Sequence, residues 1–251
     1  MLQKINRRLG WYKARFQVNN PVVGRAVELF GNKVRMDGLI YSVDSHQITK
    51  GHKSTLAFGL HEMEERELVR RWLPDDLPVL EFGAGLGVVS CLANRKLSKP
   101  NRHIVVEANP AMIPLLTRNR DINKCSFSIV NKAIGYGCDT IDLNIDSEFV
   151  GSTSKNAFLG KTIAVPTTTI QRLLDDAGFS EAGIICDIEG TEADIVEQEF
   201  SLLRERISYV LAELHPAILG HSIVANLMKR LEAAGFRLKQ QIGDSVFLAR
   251  N

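Results

Sequence analysis

Three glycines that follow a short apolar segment and an acid are the residues of this chain with the clearest chemical meaning. Residues 79–90 read V-L-E-F-G-A-G-L-G-V-V-S, a run that predicts a strand, a tight turn and a helix. Glycine at every second position lets the turn adopt conformations that other residues avoid, and lets a ligand approach the bare main chain. The pattern predicts a nucleoside-type ligand held by Glu81, Gly83, Ala84, Gly85 and Gly87.

The spacing of the glycines distinguishes between nucleoside ligands. The dinucleotide fingerprint G-x-G-x-x-G would need a third glycine at position 88, where the chain has Val88. The form E-x-G-x-G-x-G is typical of proteins that bind S-adenosylmethionine (SAM), which has no pyrophosphate to be held at a helix N-terminus. The sequence therefore predicts SAM as cofactor, with a plain connecting turn as the alternative and a nicotinamide dinucleotide as the least favoured.

A second acid supports the prediction of a nucleoside site. His103-Ile104-Val105-Val106-Glu107 reads as a buried strand that ends in a carboxylate, about 20 residues beyond the glycine turn. That spacing places an acid against a ribose diol, although a solvated loop acid is the alternative. The residues that follow this strand and the next one are predicted to border the cofactor: Ala108, Asn109, Asn131, Lys132 and Ala133.

A different group of side chains could perform the reaction. Asp187 and Glu189 follow the apolar run Gly183-Ile184-Ile185-Cys186, and positions i and i+2 of a strand share a face. Two close carboxylates can raise one pKa and produce a base, or hold a cation, whereas acids at a helix start can simply favour its dipole. His215 follows the neighbouring strand and could accept a proton near neutral pH, with a surface turn as its alternative role. Asp187, Glu189 and His215 are the predicted catalytic residues, and Asp187 is also predicted to contact the cofactor.

The elements that must position these residues alternate between strand and helix, which predicts an α/β fold with a mostly parallel sheet. Gly243-Asp244 is too short for a crossover, so the last strand should be antiparallel. Residues 140–145 and 161–165 should form an inserted hairpin around Gly151-Ser152-Thr153-Ser154. The predicted strands span 79–83, 103–107, 126–131, 183–188, 208–213, 236–241 and 245–249. The predicted helices span 87–96, 110–121, 168–177, 191–205 and 220–234.

The first 60 residues are predicted to be an N-terminal extension, with the catalytic domain at 61–251. Apolar and basic residues at near-helical spacing in 1–20 indicate a helix that packs on the domain or touches an anionic surface. Asp37-Gly38 predicts a hairpin within 33–44. Residues 45–60 should act as a lid or contact the substrate. His46, His52 and His61 have no ligand-motif spacing, and no metal is predicted.

Bulk properties exclude several classes of protein. The chain has 251 residues, 45% hydrophobic content and a formal net charge of +2, so no global field favours nucleic acid or membranes. Cys91, Cys125, Cys138 and Cys186 lack C-x-x-C pairing and indicate free thiols in a reducing compartment. No apolar run would span a bilayer and no secretory leader is evident. These features predict a cytoplasmic protein without stable membrane insertion and leave oligomerisation open.

Taken together, the motifs resemble the FkbM family of SAM-dependent methyltransferases over about residues 59–216. The matching stretches are residues 81–87 (E-F-G-A-G-L-G), 106–110 (V-E-A-N-P), 187–192 (D-I-E-G-T-E) and 213–215 (E-L-H). The family's D-x-E-G-x-E, in the turn from strand to helix, is the most specific of these. The chain departs from the family at Glu81, Gly85 and Ala108, and it has Cys186 where a lysine commonly precedes D-x-E-G.

The resemblance implies a seven-stranded Rossmann-like methyltransferase fold and transfer of a methyl group from SAM to a hydroxyl of a small molecule or glycan. No nucleic-acid partner is expected, because a motif of the N-P-P-Y type for flipped bases is missing. Methylation of RNA or protein on the same fold and a non-catalytic SAM-binding module are the alternatives.

Overall fold

In a computed structural model the chain is described for residues 19–145, 161–188 and 190–250, without the side chains of residues 145 and 161. Its centre is a seven-stranded sheet in the order β11-β12-β10-β9-β3-β4-β5. The sheet strands are β3 (Val79–Phe82), β4 (His103–Val106), β5 (Ser128–Val130), β9 (Ala182–Cys186), β10 (Ile207–Glu213), β11 (Arg237–Ile242) and β12 (Ser245–Ala249). All seven predicted sheet strands are present, and the mostly parallel α/β fold is confirmed.

Helices cover both faces of the sheet, because most of the strands are connected through crossovers. The described helices are α1 (Pro21–Leu29), α2 (Lys50–Ala57), α3 (Met63–Trp72), α4 (Val88–Lys96), α5 (Ile113–Ile122), α6 (Ile170–Ala177), α7 (Glu192–Gln198), α8 (Phe200–Arg206), α9 (Pro216–Leu219) and α10 (His221–Ala233), with a 3-10 turn at Pro100–Arg102.

The central strands are mostly apolar because both of their faces are covered; Glu81 in β3 is the charged exception. Every residue of β3 and of β9 is buried, which agrees with their nearly continuous apolar sequence. Parallel pairing joins β3 to β4 and to β9, and joins β9 to β10. This register brings the carboxyl ends of four strands to one edge of the sheet, where the predicted site residues follow.

The last strand reverses direction, as its two-residue connection requires. β12 pairs antiparallel with both β10 and β11. Gly243 at the turn has a φ of +58°, a left-handed conformation that glycine adopts without a Cβ penalty. The predicted antiparallel final strand is therefore confirmed.

A smaller sheet borders the site edge of the large one. It has the order β6-β8-β7, formed by β6 (Ala133–Ile134), β7 (Thr140–Ile145) and β8 (Lys161–Thr168). β7 and β8 pair antiparallel, which confirms the inserted hairpin; the turn predicted at 151–154 lies outside the described residues. Ala133, Leu143 and Val165 form its own small hydrophobic cluster.

The predicted helix over 191–205 is two helices that meet at Glu199. The carboxylate of Glu199 accepts hydrogen bonds from the backbone N–H groups of Ile170 and Gln171, at 2.8 and 2.9 Å, and from the Tyr136 hydroxyl at 2.7 Å. The Glu199 side chain thus caps the N-terminus of α6, where the first backbone N–H groups have no partner within the helix. The helical spacing in the sequence held no signal for this break.

The predicted N-terminal hairpin is present as β1 (Lys33–Met36) and β2 (Leu39–Ser42), with Asp37 and Gly38 both at positive φ in the turn. Asn119 of α5 and Asn123, the C-cap residue of that helix, bind its backbone. Asn119 accepts from Ser42 N–H at 2.7 Å and donates to Ser42 C=O at 3.2 Å. Asn123 accepts from Ile40 N–H at 2.9 Å and donates to Ile40 C=O at 2.8 Å.

The hairpin also shares a hydrophobic cluster with α4 and α5, so residues 33–42 are packed on the sheet domain. The division near residue 60 stays a prediction. The helix predicted within 1–20 falls almost entirely outside the described residues. Within the described ranges, no helix combines the length and the apolar character needed to cross a bilayer.

Candidate active site

A cavity of about 720 Å³ opens at the carboxyl edge of the parallel strands. Its walls come from the ends of β3, β4, β9 and β10, from the small sheet and from the residues around the start of α3. This is the edge at which open α/β sheets bind ligands, and the volume is in the range of small-molecule sites. Of the residues proposed from sequence, the cavity is lined by Gly83, Gly85, Glu107, Ala108, Asn109, Lys132, Ala133 and Asp187.

Glu107 organises one end of the cavity, here called the cofactor end. Its carboxylate accepts hydrogen bonds from the backbone N–H of Gly85 and of Asn109, each at 2.7 Å. Burial raises the pKa of Glu107 to about 7, even though these backbone donors favour the charged form. A buried carboxylate that already holds the glycine turn and still faces the cavity suits the hydroxyls of a ribose.

The glycine turn is compact because other protein atoms, backbone at Gly83 and a side chain at Gly87, lie directly against it. Gly83 has a φ of +80°, and a Cβ placed there would lie 1.7 Å from the carbonyl oxygen of Asp187. At Gly87, with a φ of +88°, a Cβ would lie 2.6 Å from Leu116. These two glycines therefore permit close packing of the protein itself, in addition to the ligand approach inferred from the sequence.

Several residues proposed as cofactor contacts do not line the cavity. Ala84 and Gly87 belong to the turn but face the protein. Asn131 donates from its amide to the carbonyl oxygens of Glu107 and Ala108, at 2.7 and 3.2 Å, and so holds the loop after β4. Glu81 points into the core, where it accepts from Ser90 Oγ at 2.5 Å and lies 2.9 Å from His103 Nε2. The structure therefore suggests supporting roles for these four residues.

The opposite end of the cavity, here called the acceptor end, contains an imidazole among carboxylates. His215 Nδ1 lies 2.8 Å from Glu192 Oε1, and Nε2 lies 3.3 Å from Asp187 Oδ1 and 3.9 Å from Glu213 Oε2. Asp187 and Glu213 line the cavity, whereas His215 stands behind them with a side chain that is 10% exposed. Sequence reasoning placed Asp187 and His215 together correctly; Glu189 lies outside the described residues.

The surrounding carboxylates change the protonation of this group. Burial alone would lower the pKa of His215, but the Asp187 and Glu192 carboxylates outweigh burial and raise it to about 11. Burial raises the pKa of Asp187, while His215 opposes that rise. Because His215 keeps its proton at neutral pH, it is poorly suited to be the base that the sequence suggested.

Sequence reasoning missed several residues of the acceptor end. Glu62 has a left-handed backbone, with φ of 48° and ψ of 37°, and its Oε1 lies 3.1 Å from His61 Nε2. Such a conformation in a residue other than glycine is often found at functional sites. Glu62, Glu64, Glu65 and Asp244 line the cavity together with Glu213, which the sequence marked only as the first residue of the E-L-H stretch. The approach of Glu62, Glu64, Glu65 and Asp244 to that stretch had no signal in their positions along the chain.

The described part of the cavity wall is strongly acidic. Lys132 is the only lysine or arginine among its lining residues, against seven carboxylates. Cys186, which replaces the lysine common in the resembled family, is buried in β9, and burial raises the pKa of its thiol. A protonated thiol supplies no positive charge, so the acceptor end lacks the cation that a lysine would add.

Comparison with known proteins places the chain in a family. The profile of the methyltransferase FkbM domain matches residues 81–238, a span from β3 into β11. The chain belongs to the FkbM methyltransferase domain family, which confirms the resemblance drawn from the motifs. It is a methyltransferase, and its cofactor is SAM.

Solved structures with similar folds share little sequence with this chain. TYW2 of M. jannaschii in complex with AdoMet is 14% identical at a TM-score of 0.46, covering 86% of this chain and 82% of that one. Precorrin-6y C5,15-methyltransferase of Geobacter metallireducens is 15% identical at a TM-score of 0.42, covering 73% and 85%. Fibrillarin of Aeropyrum pernix with S-adenosyl-L-methionine is 13% identical at 0.41, covering 70% and 67%. The sequence matches none of the curated proteins with which it was compared.

Proposed function

We propose that the protein transfers the methyl group of SAM to a hydroxyl group of a small molecule or a glycan. The observation that carries this proposal is the adjacency of the two ends of one cavity. The backbone N–H of Asp187 donates to the carbonyl oxygen of Phe82 at 2.9 Å, immediately before the glycine turn. The carboxylate at the acceptor end thus follows a strand that is paired with the cofactor strand.

At the cofactor end, Gly83 and Gly85 would lie against SAM, and Glu107 would accept hydrogen bonds from its ribose. Ala108, Asn109, Lys132 and Ala133 would border the adenosine. Since SAM carries a good leaving group on sulfur, in-line placement of hydroxyl, methyl and sulfur supplies much of the rate.

At the acceptor end, Asp187 would bind and orient the hydroxyl and accept its proton as the new O–CH3 bond forms and the CH3–S bond breaks. His215, held between Asp187 and Glu192, would act as a positioning residue behind it. Glu189, two residues after Asp187 in the sequence, is proposed to support them. His52 and Leu60 bring residues 45–60 into the cavity wall, so this segment is proposed to contribute to acceptor choice.

The acidic wall supports a small acceptor rather than a nucleic acid. Seven carboxylates face the cavity and would repel a phosphate backbone, whereas a neutral or cationic hydroxylated molecule meets no such barrier. Methylation of RNA or protein and SAM binding without turnover are the alternatives that the following test separates.

The test is formation of S-adenosylhomocysteine when the protein meets SAM and panels of sugars, other polyols, RNA and peptides. We expect turnover with hydroxylated small molecules only. Asp187→Asn should reduce turnover by at least about 100-fold while SAM affinity changes little. Asp142→Asn, which changes an exposed carboxylate on β7, is the matched control and should keep full turnover. Turnover with RNA alone, or SAM binding without any acceptor, would overturn the proposal.

A further inference from the structure

We propose that Asp187, Glu213 and His215 form a binding site for one divalent metal ion at the acceptor end of the cavity. Each residue offers one ligand atom, and the three atoms lie within 4.8 Å of one another. The separations from His215 Nε2 are 3.3 Å to Asp187 Oδ1 and 3.9 Å to Glu213 Oε2. Ligand atoms about 2.1 Å from a shared ion lie roughly 3.0–3.5 Å apart, so only small side-chain movements are needed.

The strand register creates this convergence. β9 and β10 are parallel neighbours, and Ala212 of β10 pairs with Cys186 of β9. Glu213 and Asp187 are the next residues of the two strands, so the sheet itself sets the two carboxylates side by side. His215 is the N-cap residue of α9, and its carbonyl oxygen accepts from the N–H groups of Ile218 and Leu219, which fixes its backbone.

The imidazole is oriented as metal-binding histidines usually are. Its Nδ1 forms an ion pair with Glu192 Oε1, and the Glu192 side chain is only 4% exposed. The same Oε1 also accepts a hydrogen bond from the Gly190 N–H at 3.3 Å. A carboxylate on one ring nitrogen fixes the ring and leaves the other nitrogen for the ion. In His215 that other nitrogen, Nε2, is the one that faces Asp187 and Glu213.

An independent observation at Asp187 also points to a missing cation. Among the described residues no group donates a hydrogen bond to its solvent-shielded Oδ1, and His215 Nε2 approaches this oxygen to 3.3 Å. Buried carboxylate oxygens normally have a donor or a cation. A divalent ion between Oδ1, Nε2 and Glu213 would displace the Nε2 proton to solvent, satisfy this oxygen and balance the three carboxylates that surround the imidazole.

The donor set indicates what kind of ion would bind. Two carboxylates and one imidazole suit ions that accept oxygen and nitrogen ligands, such as Mn²⁺ or Zn²⁺. Three protein ligands leave open positions, which here face the cavity through Asp187 and Glu213. Resting on the proposed function, the acceptor hydroxyl would occupy such a position. The ion would stabilise the alkoxide as its proton passes to Oδ2 of Asp187 and as the oxygen displaces the sulfur of SAM.

The experiment is electron paramagnetic resonance of the metal-free full-length protein titrated with Mn²⁺, without SAM or acceptor. The wild type should bind one Mn²⁺ saturably. Glu213→Gln and Asp187→Asn should each weaken binding at least about tenfold. Glu64→Gln changes a carboxylate in the same cavity outside the three ligands, and it should bind Mn²⁺ as the wild type does.

Thermal melts and SAM titrations on the same samples establish that each variant is folded. No saturable Mn²⁺ binding by the wild type up to about 1 mM, a limit typical of weak sites, would overturn the metal site. So would an equal loss in Glu64→Gln and Glu213→Gln. SAM binding without Mn²⁺ binding would reject this inference alone, whereas absence of SAM binding would count against the proposed function.

Discussion

The two ends of the cavity are built in different ways. The cofactor end is shaped by main chain: a glycine turn, the N–H groups that Glu107 accepts from, and the loop carbonyls that Asn131 holds. The acceptor end is made of side chains from separate parts of the chain, such as Glu62 before α3, Glu213 on β10 and His215 after it. We therefore expect changes at the cofactor end to alter stability and SAM affinity, and changes at the acceptor end to alter turnover.

The largest expected effect tests whether the cofactor end depends on its buried support. His103→Ala removes the partner of Glu81, in a pair whose side chains are 0% and 2% exposed. Because the Glu81 carboxylate would stay buried with only the Ser90 hydroxyl as a donor, we expect a loss of about 3–5 kcal/mol in the free energy of unfolding. Urea denaturation measures this loss. His46→Ala, at an exposed histidine, is the control and should change stability by less than about 0.5 kcal/mol.

If His103→Ala lowered the free energy of unfolding no more than the His46 control does, the cofactor end would not depend on this buried pair. The comparison between the two ends would also fail if the folded His103 variant lost turnover while SAM affinity and stability stayed normal, since the pair lies outside the cavity.

A smaller effect is expected from a substitution that tests the close contact between Gly83 and the Asp187 carbonyl oxygen. Gly83→Ala places a Cβ against the Asp187 carbonyl oxygen and also forces a left-handed φ. We expect about 2–4 kcal/mol of destabilisation, from strain together with overpacking, and much weaker SAM binding. Gly137→Ala is the matched control, because Gly137 has a φ of +73° with nothing within 4 Å of the added Cβ.

Calorimetric titration with SAM and thermal melts distinguish the two variants. Gly137→Ala should show only the cost of the backbone conformation and keep wild-type SAM affinity. If both substitutions had equal effects, the left-handed φ alone, and not the contact with Asp187, would explain why position 83 requires glycine.

The smallest of these effects concerns the charge of Glu107. A ribose hydroxyl donates best to the carboxylate form, so below the raised pKa of about 7 a proton must leave before SAM binds. SAM affinity should therefore fall as the pH drops through 7, approaching about tenfold per pH unit. Glu107→Gln should bind SAM about tenfold more weakly at pH 8, since it loses a charged hydrogen bond, and should lack this pH dependence.

The Glu107 variant also serves as its own control, because titration of groups on SAM affects both proteins alike. A pH dependence shared by the wild type and Glu107→Gln would place the titrating group elsewhere and remove Glu107 from ribose binding.

The same contrast explains what the sequence could predict. The sheet, its antiparallel last strand and the cofactor end follow from patterns over a few neighbouring residues, as in 79–90 and 103–107. Glu81 was predicted as a cofactor contact because it belongs to that pattern, but its alternation along β3 turns it toward His103. The sequence pattern identified Glu81 as part of the motif but did not show to which side of β3 its side chain points.

At the acceptor end, local patterns found Asp187 and His215 because each follows a strand. They could not find Glu192 beside His215, or Glu62 and Asp244 in the same wall, because strand order and the approach of α3 decide those contacts. The break at Glu199 was missed for a similar reason: its carboxylate serves helix α6, which is distant in sequence.

Asn119 of α5 and its C-cap residue Asn123, which bind the N-terminal hairpin, have one more consequence. By donating to and accepting from alternate residues of β2, Asn119 and Asn123 take the place of a neighbouring strand. Main-chain groups that a second molecule could otherwise pair with are thereby occupied. An open strand edge is a template for aggregation, and here two side-chain amides protect the chain against it.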